Sequence, residues 1–474
     1  MLNHGINTYK SDTAFSAVKT AAVGIPLFIG AWPCHMGEGY KDVPVLATSF
    51  GEAEKKGGFS HKWRNDDFTP RWNLCQAMYS HFKLFGMSPA IFVNVFDPAT
   101  HCKDLTETEY SVNDHIAKLS SDVIASGISI KAGETALTEG TDYDVFYRDE
   151  ELIIELLQDG AGYTAKNLTV TGKVADTSKI EAKDIEAAVE KADLCKTVLG
   201  IVPDLICAPG WSKNPSVAAV MTAKAPSIGG LFFGKAVCDI DCSSKGAPTY
   251  DTVLDWKNKN GYTDENMIDG WGIAKVGEDL FDMSVIICGK IAQVDEGNAG
   301  CPYESPSNKS LAISGMVNEA GEEINLTLAQ ADVVTVNAGV VTALNYGGWV
   351  LWGNYTACYP TSADVAEYFI CTNRMHDWIN NTFTNTFWSE IDKPMTRVRI
   401  DSIINSFNSW LSGLVHEGKL HGGQIEYIAD NNPAASLVGG KIRLDTSFAS
   451  PVPMQQINMH SEFDVDTLVS ALNG

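Results

Sequence analysis

Cysteine beside histidine is the pairing that a thiol nucleophile needs, and it occurs twice, at Cys34-His35 and His101-Cys102. Adjacency along the chain does not aim an imidazole at a sulfur, and thiol activation requires that oriented hydrogen bond. Isolated Cys and His residues are therefore expected to pack or to be solvated. His416 and His421 fall at the end of an expected helix and in the loop after it, where the helix dipole accounts for the first without a metal. The patterns HExxH, GxxxxGK[ST], GxSxG and GxGxxG do not occur, so zinc hydrolysis, phosphate cradling, serine hydrolysis and dinucleotide binding lack their usual signatures. The adjacent carboxylates Asp66-Asp67 and Glu150-Glu151 read as solvated charge. The run CAPGWS, residues 207–212, is the remaining candidate: a loop at the carboxyl end of an expected strand, where α/β enzymes bind ligands and many non-enzymes carry the same geometry. The sequence assigns no catalytic residue, no cofactor-binding residue, no cofactor and no metal ligand.

Stepping from these residues to the chain that must hold them, 474 residues exceed one ordinary core and suggest roughly three domains at about 150 residues each. Apolar residues at 45% and charged residues at 20% mark an ordinary globular composition. The 59 acidic against 35 basic side chains give a formal charge of −24 with no basic run, which disfavours direct binding to nucleic acid, since that requires cations to displace counterions from phosphate. Eleven cysteines without a CxxC pair, Cys238 and Cys242 standing nearest each other, imply free thiols in a reducing compartment. The opening MLNHGINTYKSD lacks a signal-peptide layout, and no apolar run approaches the ~20 residues of a membrane helix, so the expectation is a chain made soluble with no membrane insertion.

The pattern of apolar residues implies an α/β (α+β) multidomain chain. Residues 1–20 read as an N-terminal arm, with Ile6 and Tyr9 among its few apolar points. Residues 21–105 and 180–335 alternate strand and helix patterns and read as a discontinuous α/β domain: AAVGIPLFIGAW (21–32), VPVLATS (43–49) and IFVNVF (91–96) as strands, residues 71–85 as a helix. Between them, residues 106–179 alternate apolar and polar positions between glycine-rich turns, the period of an inserted antiparallel β-rich domain. Residues 336–474 read as a C-terminal domain of two long helices packed on a small sheet. The first helix is expected to start at a capping box of Thr361 and Asp364 and to carry Val365, Tyr368, Phe369, Met375, Ile379, Phe383 and Phe387 on one stripe. The second is expected from Pro394 to Gly418, with Val398, Ile403, Phe407, Leu411 and Leu414 inward. Strands are expected at 424–428, 441–448 and 454–463, and so few strands leave an edge that another chain must cover.

One stretch stands apart: LNYGGWVLWGNYTACY, residues 344–359, where Gly347 and Gly348 permit a tight turn and Trp349 and Trp352 supply apolar area three residues apart. On spacing alone it is a strand-turn element of the core. The run GGWVLWGN, the Thr356-Ala357 step, Pro360 and the later Phe387-Trp388, together with CPYESPSNKSL (301–311) and VVTALNYGGW (340–349), resemble the carboxy-terminal signature of contractile phage tail sheath proteins, including those of R-type bacteriocins. The likeness continues through residues 388–423, and Gly140, Thr141, Asp142 and Tyr143 match a turn found in the inserted unit of some sheath relatives. Val350 and Tyr355 stand where relatives usually carry basic residues, so a charged contact at that step is not carried over.

The resemblance implies a structural subunit of a contractile tail that polymerises as stacked hexameric rings around an inner tail tube, between a baseplate and a tail terminator, and contracts to drive the tube through a cell envelope. It implies a particle assembled in the bacterial cytoplasm, as a phage virion or a bacteriocin. It places the signature core at Gly348, Trp349, Trp352, Gly353 and Asn354. By position it assigns the strands lent to neighbouring subunits to the segments around Ile6 and Tyr9 and around Ile457, Met459 and Phe463. The reading from another class is a cytoplasmic α/β hydrolase or transferase with an accessory β domain.

Overall fold

The computed structural model describes residues 17–473; Ile6 and Tyr9 lie outside the described residues. A six-stranded sheet organises the α/β part. Its strands are β1 (Pro26–Gly30), β2 (Pro44–Ala47), β3 (Ala90–Asn94), β4 (Leu205–Cys207), β5 (Lys235–Ile240) and β6 (Met267–Trp271), in the order β6-β5-β4-β1-β3-β2. All neighbours are parallel except β2, which runs antiparallel on β3. Every residue of β1, β3, β4, β5 and β6 is buried, which is why PLFIG and AIFVN read as continuous apolar runs rather than alternating ones. Pro26 opens β1, where its missing N–H breaks no ladder.

Three helices of this part pack beside the sheet. The first, α1 (Asn73–Tyr79), passes directly into a wider turn at Ser80–Leu84. The second, α2 (Cys195–Leu199), ends on Gly200 at φ +75°, a left-handed cap that favours glycine. A third, α3 (Met283–Gly297), packs against β5 and β6 and is buried along most of its length. The expected strand over residues 21–32 is shorter than its apolar run, because Ala21 and Val23 leave the sheet and join the core of the last domain.

A seven-stranded antiparallel sheet occupies Cys102 to Ala175 and closes around its own core of Ala117, Leu152, Ile154, Leu168 and Val170. It is tied to the α/β part by polar contacts. Arg71 pairs with Asp122, and the Glu150 carboxylate accepts from the Ser60 hydroxyl at 2.7 Å and the His61 N–H at 2.9 Å. Glu150 is therefore not free surface charge, as its position beside Glu151 suggested; a strand turn delivers it to a neighbouring unit. In the matched turn, Asp142 accepts from the N–H groups of Thr138 and Ala161, each at 2.8 Å.

In the last part, β7 (Thr342–Asn345) and β8 (Trp349–Trp352) form a hairpin, followed by α4 (Ile370–Phe387) and α5 (Arg397–His416). The first long helix does not begin at a Thr361 capping box. Asp364 caps a single turn, Val365–Tyr368, and the chain breaks at Phe369 before α4. The break is imposed from outside the helix: the Ile370 N–H donates to the Asn354 carbonyl at 3.0 Å and the Thr356 N–H to the Tyr368 carbonyl at 2.8 Å. Nor does α5 begin at Pro394; Thr396 is its cap, accepting from the Arg399 N–H, and Val398 in the first turn is exposed rather than inward. Gly418, at φ +75°, follows the end of α5.

Candidate assembly surface

The hairpin explains the glycine-tryptophan run locally. Gly347 and Gly348 turn the chain at φ +71° and +141°, and the Asn345 side chain accepts from the Gly348 N–H at 3.3 Å. Leu351 is the buried residue of β8, while Trp349 and Trp352 are only half-buried. The largest fully buried tryptophans are Trp32, Trp72 and Trp271, so the pair in the motif frames a surface rather than filling the core. The second motif run completes it: Lys309–Ser310 pairs with β8 on the side away from β7, and the Gly353 N–H donates to the Ser307 hydroxyl at 3.0 Å. Gly353 sits at φ +116°, and a Cβ there would stand 3.0 Å from Val341 Cα. The two stretches that carried the resemblance thus form one small sheet.

Beside that sheet lies a cavity of about 450 Å³ walled by Glu304, Ser307, Trp352, Tyr355 and Cys371 and by residues 451–455. The Tyr355 hydroxyl donates to the Gln455 side chain at 3.3 Å, which fixes where the C-terminal segment leaves the body. Just before it, β9 (Gly422–Glu426) and β10 (Asp445–Ala449) pair antiparallel and form a two-stranded sheet among the described residues. The third strand expected at 454–463 does not add to it. Residues 450–464 carry no helix or strand, and Ile457, Met459 and Phe463 are 80%, 86% and 72% exposed. Asn408 covers the β9 edge by bonding the Ile425 N–H and carbonyl, whereas an exposed apolar segment following the β10 edge is a configuration that soluble monomers avoid.

At the other end of the chain, residues 18–23 lie along α4. The Thr382 hydroxyl accepts from the Ala21 N–H and that of Thr386 from the Lys19 N–H, each at 3.0 Å, and the Trp378 indole donates to the Ala21 carbonyl at 2.9 Å. These three residues recur at i, i+4 and i+8 on one helix face, a spacing that the sequence itself contains.

A buried charge cluster joins α4 to the α/β core. Arg374 donates to both oxygens of Asp295, at 3.0 and 2.5 Å, and to Asp204 at 2.7 Å, with all three side chains less than a tenth exposed. Burial opposes the guanidinium charge, but Asp295 and Asp204 outweigh it and hold Arg374 above its ordinary value. Burial pushes Asp295 up to about 6 against the opposing pull of Arg374. Nearby, the Lys235 ammonium, 1% exposed, stands 2.7 Å from Asp377. An arginine in a helical stripe of apolar residues was the available signal for this cluster.

The residues considered for chemistry are separated or engaged. Cys34 Sγ donates to the Phe96 carbonyl while His35 Nε2 meets the Ser121 carbonyl at 2.9 Å, and burial raises the Cys34 thiol to about 11. The N–H of Asp97 donates to His101 Nδ1, and Cys102 Sγ to the Ala99 carbonyl. His416 and His421 are exposed. In the CAPGWS loop the Ser212 hydroxyl donates to Asp239 at 2.9 Å, Asp239 also accepting from the Ser284 N–H and hydroxyl, so this strand end is closed by its own side chains. Among the described residues, no group of three or more His, Cys, Asp or Glu could hold a metal, and no helix is long and apolar enough to cross a membrane.

No protein-family model matches the sequence. Over 99% of its length and 98% of the relative's, the chain is 25% identical to the tail sheath protein of Burkholderia phage BcepMu. It is 26% identical over 140 residues, 29% of this chain and 34% of the relative, to the major tail sheath protein of Serratia phage KSP20. In structure it resembles a chain of the anti-feeding prophage baseplate, with a TM-score of 0.60 and 12% identity over 98% of this chain and 100% of the other. It also resembles a chain of the PVC extracellular contractile injection system sheath complex in its contracted state, with a TM-score of 0.58 and 11% identity over 98% and 99%. The resemblance read from the motif runs is borne out by these relatives, and so is the mixed α/β architecture. Nothing among them supports the enzyme alternative.

Proposed function

We propose that this chain is the structural subunit of a contractile tail sheath, working without catalysis in a phage tail or a related contractile particle. Its full-length likeness to a phage tail sheath protein supports that reading. The carrying observation in the geometry is the exposed apolar segment around Ile457, Met459 and Phe463 leaving the body beside a two-stranded sheet. Asn408 takes the outward N–H and carbonyl of Ile425 on the β9 edge, which leaves the β10 edge as the one to which an extended segment from another copy adds. The C-terminal segment is one such strand. By position the segment around Ile6 and Tyr9 is the other, preceding in sequence the strap that is tied to α4.

A contact in which one copy lends a segment and the next receives it is heterologous, and repetition builds rings and helical stacks. In this reading the subunits form stacked hexameric rings around an inner tail tube, running from baseplate to tail terminator, and are assembled in the host cytoplasm. The Arg374 cluster keeps α4 and the α/β core moving as one body, while the lent strands act as hinges that preserve their main-chain hydrogen bonds through rotation. Contraction is then a rigid-body conversion between two lattices, the energy residing in assembly. It draws on no nucleotide. The acidic surface, at a formal charge of −24, suits contact with protein partners and opposes direct contact with the genome.

The test is electron microscopy of the purified chain beside variants lacking residues 1–18 or residues 450–474. Tubes or rings from the intact chain, lost in both variants while thermal melting persists, are the expected outcome. Normal contractile lattices from either variant refute the role of that arm, and small uniform particles from the intact chain refute the assembly reading itself.

A further inference from the structure

The last element of the chain, α6 (Val465–Asn473), carries Val465, Leu468, Val469 and Leu472 at i, i+3, i+4 and i+7, an apolar stripe along one face. All four are exposed, and so is every described residue of this helix. An isolated helix this short is marginal in water, because nucleation costs more than a few hydrogen bonds return, and tertiary packing of its apolar face is what ordinarily holds it. None of the described residues does so here.

A complementary surface lies elsewhere on the molecule. A cavity of about 690 Å³ opens between the strap at residues 19–22, α2 and the C-terminal end of α4. Its walls include Val202, Phe232 and Trp388, with Leu231 and Trp388 45% and 62% exposed to solvent. Lys19 and Lys196 stand among its lining residues, the latter 5.7 Å from the Phe232 ring centre. Asp193 and Asp204 also line the groove, but Lys224 and Arg374 hold them. The stripe of α6 is preceded and flanked by Asp464 and Asp466, so an acidic, apolar helix matches an apolar groove whose carboxylates are already paired and whose Lys19 and Lys196 are not engaged by them. That sign also argues against an anionic lipid surface as the helix's destination.

We propose that α6 docks through Val465, Leu468, Val469 and Leu472 into this groove on a second copy of the chain. The inference rests on the assembly reading above and extends it: beyond strand exchange, each joint has a side-chain plug. Residues 456–464 beyond the Tyr355–Gln455 contact span up to roughly 30 Å when extended, which carries α6 clear of the body that anchors it. A patch on one copy that fits a pocket at a different place on the next is a contact that does not close on itself, which is the geometry of a stack.

All eleven native cysteines are buried, so introduced surface thiols are the reactive ones. The double variant Leu231→Cys with Leu468→Cys is assembled, checked by microscopy, oxidised and run on a non-reducing gel. A ladder of linked chains, absent from either single variant, is the expected result. Linkage confined to the mass of one chain, or none in material that microscopy shows as polymers, overturns the docking and leaves the assembly reading standing. Failure of the unsubstituted chain to polymerise overturns both. A second variant, Leu468→Asp with Leu472→Asp, is expected to melt like the parent and to form shorter or fewer polymers; unchanged polymers count against the plug.

Discussion

The Trp378 indole N–H donates to the carbonyl of Ala21 at 2.9 Å, across 357 positions of sequence. With Thr382 and Thr386 accepting from the same strap, it makes the start of the described chain part of the last domain. Trp378→Phe keeps most of the ring and leaves the Ala21 carbonyl without that donor inside a buried contact, which costs roughly 1–3 kcal/mol. Urea unfolding should show that loss, and microscopy should show fewer polymers. An unchanged midpoint contradicts the role given to this bond.

Among the described residues, Arg374 is the cation that pairs with both Asp204 and Asp295 in the buried cluster. Arg374→Met removes the charge and strands two carboxylates away from water, so it is expected to destabilise the chain by about 3–5 kcal/mol. The triple variant that also carries Asp204→Asn and Asp295→Asn should recover much of that loss. Equal stability of the single and triple variants in urea would falsify the pairing account.

Asp239 is held up to about 7, first by burial and next by the nearby Asp282 charge, against the pull of the Ser284 and Ser212 hydrogen bonds. Its carboxyl is therefore more protonated in the folded chain than in the unfolded one between about pH 4 and about pH 7. The contribution to stability is complete below the ordinary carboxylate range and is lost as pH rises through about 7. Asp269, also held up to about 7 by burial, has the same sign. Stability is expected to rise by on the order of 1 kcal/mol as pH falls from about 7.5 to about 6, and Asp239→Asn should flatten that slope. A variant with the parent's slope over this window removes Asp239 from the account.

Gly353 combines a left-handed φ of +116° with a Cβ position 3.0 Å from Val341 Cα and 3.1 Å from the Val340 carbonyl. Gly353→Ala is expected to cost roughly 1–3 kcal/mol through strain at a backbone conformation that side chains resist. Gly347→Ala has open space around its Cβ and meets only the penalty of its φ of +71°, so its thermal midpoint should fall less. The reverse ranking contradicts the close-approach argument.

Period and composition made much of the architecture legible. Continuous apolar runs announced the buried strands β1 and β3, and alternation announced the antiparallel sheet that spans Cys102 to Ala175. Boundaries were less readable where a distant residue sets them. The helix expected from Thr361 breaks at Phe369 because Asn354 and Thr356 take its backbone hydrogen bonds. Residues 454–463 have the alternation of a strand, yet a strand exists only where a neighbouring backbone offers a ladder, and among the described residues none does.

The chain's own order of residues was enough to set its fold class, its acidic charge and its likeness to sheath proteins, because these depend on local periodicity and on short runs with few alternatives. Only tertiary structure decided that Arg374 lies between two carboxylates, that Glu150 bridges two units, that Tyr355 holds Gln455, and that the stripe on α6 faces water. Each of these is a meeting, or a missed meeting, between residues far apart in sequence. Such pairings follow from how whole layers stack, which no window of neighbouring residues contains.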